Sequence, residues 1–280
     1  MNETYETTEV QALTPIRFMK RAFTSSKKML IIVIAYFVSL ASGLIGILAT
    51  NFKLMDYVNA FLAEVEAAGA TIDAATQEAI DLLTSLAGTV DTVLLVMGIA
   101  GLIPAALMAA GAFLIYSGAT KEDASKVCLG TLLFRILFIY QIVMMSIAIL
   151  ITVLCSVVLA YSFADFAALV ILCDVFILVP LVLTVTYYGK FEKMLKNLGI
   201  SARTGINTLT VSSYVTVLTK ISAVLGIISS ALSIGSDLIG SLGGIISGVA
   251  LFFVATLFTE YKDEMGAPTP ENIQAAKEVK

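Results

Sequence analysis

Residues 128–160 read CLGTLLFRILFIYQIVMMSIAILITVLCSVVLA and carry a single charge, Arg135. A hydrocarbon core about 30 Å thick is crossed by about 20 helical residues, so this stretch is longer than a vertical crossing requires. Lipid offers no partner to backbone N–H and C=O groups, which leaves only helix or closed barrel. The run has no two-residue alternation, and that selects helix.

Five further stretches read the same way: 29–50 (MLIIVIAYFVSLASGLIGILAT), 92–117, 166–188, 209–234 and 238–259. The fifth in chain order, 209–234, is the weakest, being rich in Ser and Thr and carrying Lys220. Composition agrees. Of the 280 residues 59% are hydrophobic and 14% charged, against roughly 45–50% and about 25% in soluble domains. Mean hydropathy is +0.96. The expected fold is an all-α polytopic membrane bundle of six transmembrane helices. Residues 1–28 form a tail and an amphipathic helix, 29–260 the membrane domain, and 261–280 a flexible tail.

Loop charge sets the threading. Arg17, Lys20, Arg21, Lys27 and Lys28 precede the first span. Lys121 and Lys126 follow the second, Lys190, Lys193, Lys196 and Arg203 the fourth, and Lys262, Lys277 and Lys280 the sixth. The opposite side has only Lys53. The positive-inside rule therefore puts both termini in the cytoplasm. The outer loop, 51–91, is acidic (Asp56, Glu64, Glu66, Asp73, Glu78, Asp81, Asp91) and reads as a helical hairpin or as two extensions of the flanking spans. Leu54, Met55, Val58, Phe61, Leu62 and Val65 recur at helical spacing. Gly69 suits a helix end and Thr71 a second helix start.

Thr14-Pro15 is a helix-start signal. In the following turns Ile16, Phe18, Met19, Ala22 and Phe23 fall on one side, and Arg17, Lys20 and Arg21 on the other. This pattern fits a helix in the membrane interface, its basic residues, with Lys27 and Lys28, toward anionic headgroups. The reading weighed second packs the helix against the protein's own loops.

Several features inside the bilayer invite a role. Ser236, Gly240, Gly244 and Gly248 form a small-residue face on the sixth span, and Ser222, Gly226 and Ser230 a similar face on the fifth. Such faces let helices approach closely, and the expected use is packing of spans five and six on each other in preference to a homodimer seam. Asp174 and Lys220 are expected near the midplane, facing inward and approaching each other, because a charge there is costly unless paired. The alternatives are a purely structural pair, or a shifted fifth span whose Lys220 snorkels to the interface. Pro104 and Pro180 predict helix kinks at similar depth. Arg135 reads as a snorkelling side chain and Gln141 as a hydrogen-bonding group.

With no histidine in the chain, Ser-His-Asp and Cys-His catalysis are impossible. No P-loop, GxSxG, GxGD, EF-hand or CxxC pattern occurs. Cys128, Cys155 and Cys173 are expected as small buried hydrophobes. No cofactor, metal or nucleic-acid partner is expected. The expected partners are the bilayer of a plasma (cytoplasmic) membrane and either a second copy or another membrane protein. Enzyme function is disfavoured, a lipid-modifying activity ranking third. The leading expectation is a transporter or permease-type subunit with a polar interior around Asp174, Lys220 and Gln141. The alternative is a membrane scaffold acting through the acidic outer hairpin and the basic N-terminal helix.

Overall fold

The computed structural model describes residues 14–49, 54–68, 74–162, 167–235 and 238–278. The expectations placed on residues 1–13, Lys53, Gly69, Thr71, Asp73, Ser236 and Lys280 lie outside these.

The described residues form nine α-helices and contain six segments long and apolar enough to cross a membrane. Helix α1 (Pro15–Ser26) starts on its proline, and the Phe18 N–H donates to the Thr14 carbonyl at 2.9 Å. It stops at Lys27, whose left-handed φ of 52° turns the chain within one residue into α2 (Lys28–Ala49). Then come α3 (Leu54–Ala67) and α4 (Ala74–Thr120). At 47 residues, α4 is roughly 70 Å long. Residues 74–91 and the second span are therefore one rod. Helices α5 (Ala124–Ser162), α6 (Ala167–Thr204), α7 (Ser213–Leu232) and α8 (Leu238–Met265) complete the spans, and α9 (Pro270–Glu278) follows.

Neighbours in space run α6, α5, α4, α2, α8, α7. The series does not close: α6 and α7, although consecutive in the chain, touch sparingly. Below it lies α1, packed against α2, α4, α6 and α8. We call the end carrying α1 and α9 basal and the opposite end distal. Away from the axis the helices present bare apolar side chains; Leu150, Ile151, Leu154, Val157 and Val158 of α5 are each more than half exposed. Such a surface is stable only against lipid.

The tail after the last span is not structureless. Thr269-Pro270 repeats the Thr14-Pro15 start signal, and Thr269 Oγ1 accepts from the Asn272 N–H at 3.2 Å. Helix α9 then lies against α6 and buries Ala276. The expectation of a flexible 261–280 tail missed this cap. Helix α8 and α6 both end at glycines in the left-handed region, Gly266 (φ 68°) and Gly205 (φ 72°), a conformation that a side chain would oppose.

Candidate functional site

The axis of the basal half holds a cavity of about 360 Å³. Its floor is α1: Phe18, Met19 and Phe23 are buried in the protein. This corrects the interfacial expectation. The apolar face of α1 is covered by the chain's own helices, because one left-handed residue at Lys27 folds α1 under the bundle. Its basic residues are tied likewise. Lys20 Nζ donates to Glu122 Oε1 at 2.8 Å, Arg21 pairs with Glu264, and Lys28 pairs with Glu260. Arg17 adds a favourable charge near Glu122, and the Lys20 hydrogen bond holds the Glu122 carboxyl below its ordinary 4.5. In the same turn Asp123 is drawn down to about 2, chiefly by the Ser125 hydroxyl and then by Lys126. Lys27 spends itself on the turn.

The cavity walls are aromatic. Phe138 stacks against Phe191 at 4.7 Å and Tyr188 at 5.5 Å between centroids, Phe191 meets Phe258 edge-on at 5.7 Å, and Phe18 meets Tyr261 at 5.1 Å. These offset and edge geometries are the favourable ones for ring quadrupoles. Two polar side chains line the distal part of the cavity, Gln141 of α5 and Ser222 of α7. Neither side chain has a hydrogen-bond partner among the described residues. Of the other polar groups there, the Tyr187 and Thr219 hydroxyls share a bond of 2.8 Å, while the Tyr36 hydroxyl, on the cavity wall, also has no hydrogen-bond partner among the described residues. That bond, with Tyr214 O–H donating to the Leu183 carbonyl at 3.2 Å and Lys190 Nζ 4.6 Å from the Tyr214 ring centroid, joins α6 to α7 at the basal end. The bundle's seam thus runs beside the cavity.

Asp174 and Lys220 are not brought together. The Tyr187–Thr219 bond fixes the register of α6 against α7. Lys220 is one residue beyond Thr219, whereas Asp174 is thirteen residues beyond Tyr187, roughly 20 Å toward the distal end. Asp174 instead accepts from Ser156 of α5, and Lys220 has no ion pair among the described residues. The basal extension of α6 to Thr204 sets this register, and nothing local in either span encodes it. Pro104 and Pro180 sit inside unbroken helices and line no part of the cavity.

The small-residue faces divide. A side chain at Gly244 would collide with Ser230, and one at Gly248 would meet the Ala223 carbonyl at 3.0 Å, so α7 and α8 do approach there. Gly226 has open space around it, and Ser222 faces the cavity. Gly240 is exposed. A tighter seam lies elsewhere: a Cβ on Gly130 of α5 would stand 2.6 Å from the Gly111 carbonyl of α4. Gly111 and Gly118 are spaced by seven, a repeat that a four-residue pattern does not pick out. Arg135 does not simply snorkel; its Nε donates to Glu192 Oε1 of α6 at 2.8 Å. Cys155 and Cys173 are exposed and Cys128 half-buried, its thiol donating to the Gly199 carbonyl at 3.2 Å. An apolar side chain on a lipid-facing helix has no need of burial.

With its described residues helical and six segments long and apolar enough to cross a membrane, the chain is a multi-pass integral membrane protein; compared with known protein families, curated proteins and solved structures, it matches none.

Proposed function

We infer that the chain is a transport-type membrane protein whose cargo is apolar or amphipathic, with its basal end in the cytoplasm by the charge rule. One observation carries the reading: the aromatic cavity above α1, in which Gln141 and Ser222 are left without partners. Its volume falls within the range of about 300–1,000 Å³ usual for ligand pockets. Inorganic ions fit it poorly, since nothing charged lines it. A ligand arriving from lipid gains little by burial alone, because acyl chains are as apolar as the cavity wall. Selection then comes from shape and from a hydrogen bond to Gln141, Ser222 or the Tyr36 hydroxyl, so the cargo carries one polar group on an apolar body. Entry is along the α6–α7 seam.

Photolabelling with a diazirine-bearing fatty alcohol in nanodiscs tests this. Adducts are expected at Met108 and Leu251 inside the cavity and should fall several-fold in Ser222→Trp, with adducts at lipid-facing Leu154 unchanged. Labelling confined to lipid-facing positions defeats the reading. Asp174→Asn and Lys220→Gln should leave cavity labelling as it is; a loss in either would restore the polar-interior transporter first expected.

A further inference from the structure

A second cavity, of about 310 Å³, opens at the basal end between the last turns of α6, the segment 205–212 and α9. Its lining brings three cations to one cleft, Lys196 and Arg203 from α6 and Lys277 from α9. No carboxylate lines it. Among the described residues none of the three has an ion-pair partner, whereas Lys20, Arg21, Lys28, Lys126 and Arg135 are each paired. Thr210 and the half-buried Asn197 add polar side chains with no partner of their own among the described residues.

The cleft is held in shape from behind. Asn207 donates to the Met265 and Gly266 carbonyls at 3.2 Å each, and its Oδ1 accepts from Tyr261 O–H at 3.0 Å and from the Leu209 N–H at 3.2 Å. The Ser201 and Thr208 hydroxyls lie 2.9 Å apart, and Ser201 Oγ also accepts from the Thr208 N–H. A buried polar network so fully satisfied is rigid. It fixes segment 205–212 between the ends of α6 and α8, so like charges on α6 and α9 are held facing one cleft instead of splaying into solvent.

Three convergent cations with adjacent amide and hydroxyl groups are the complement of a phosphate: Arg presents a planar fork to its oxygens, Lys a point charge. We propose that this cleft binds a phosphate-bearing ligand. Arg203 stands fifteen residues past Tyr188, roughly 22 Å along α6, a distance that reaches past the hydrocarbon edge toward water. Either a phosphorylated solute or a phospholipid headgroup supplies the same chemistry. The site is separate from the apolar cavity and its test does not depend on that reading.

The test uses the full chain in two kinds of nanodisc. In phosphatidylcholine discs, titration with inorganic pyrophosphate should raise the melting temperature, and Arg203→Gln/Lys277→Gln should weaken the apparent affinity at least tenfold. Lys193→Gln, exposed on α6 but outside the cleft, should behave as the unchanged chain. In discs containing phosphatidylglycerol, stabilisation that the double variant abolishes, without a response to pyrophosphate, identifies the headgroup as the source. All three side chains are exposed, so the variants should fold; their circular dichroism checks this. Equal responses of the unchanged chain and the double variant to both probes, or an equal loss in Lys193→Gln, overturns the proposal.

Discussion

The basal and distal halves are built by different rules from similar sequence. Basally, α1 closes the bundle, Arg135–Glu192 bridges α5 to α6, rings interlock around the cavity, and the Asn207 network ties three chain segments. Distally, Phe176 of α6 is 73% exposed and Leu232 of α7 83% exposed, and Ser156 of α5 donates to Asp174 of α6. In lipid, apolar exposure carries no penalty, so helices need not cling together to hide their side chains. Ordered contacts therefore collect where polar groups demand partners and where α1 supplies an extra layer. Both candidate binding sites lie in that half.

The sharpest way to break this contrast is to insert volume on each side. Gly130→Val would drive a side chain into the α4 backbone at Gly111, whereas Gly226→Val meets nothing within 4 Å. Overpacking costs about 1–3 kcal/mol or more. Gly130→Val should give the largest loss of melting temperature in a fixed detergent, and Gly226→Val almost none. Equal losses would mean that α4 and α5 are not in close contact.

A second comparison removes one polar group from each half. Asn207→Ala strands the Tyr261 hydroxyl and the Leu209 N–H, at about 1–3 kcal/mol. Asp174→Asn keeps an acceptor for Ser156 and should stay within about 0.5 kcal/mol. Thermal unfolding of both variants in one detergent reads the difference, and a more damaging Asp174→Asn would reverse the contrast.

The smallest effect is at the α1 clamp. Because folding lowers the Glu122 pKa below 4.5, its contribution is complete above that unfolded value and is lost as pH falls through the folded one. Spin labels at Thr24→Cys and Lys121→Cys should report a narrow distance distribution at neutral pH, broadening below pH 4.5. Glu122→Gln should broaden it at neutral pH. The pair is exposed, so added salt should loosen it too. A distribution indifferent to all three would show that Lys20–Glu122 does not restrain α1.

Much of this was legible because it depends on short-range pattern. The six spans follow from apolar run length, and Thr14-Pro15 announces α1. The same signal at Thr269-Pro270 starts α9, but a short polar tail with two prolines also fits a flexible end, and local pattern does not separate the two. Gly244 and Gly248 were readable as a close approach, while Gly130 against Gly111 was not, since a lone glycine names no partner. Neither cleft could be read: Gln141 and Ser222, or Arg203 and Lys277, are far apart in the chain.

Residue chemistry taken one segment at a time determined that this polypeptide is helical and immersed in lipid, because backbone polar groups there have no other refuge. Register and neighbourhood were decided by the assembled fold. A single left-handed residue at Lys27 sends α1 beneath the bundle, and the basal length of α6 leaves Asp174 far from Lys220. Lipid is indifferent to which apolar face meets which, so side-chain pattern alone could not rank the alternatives; the sparse polar contacts between distant helices did.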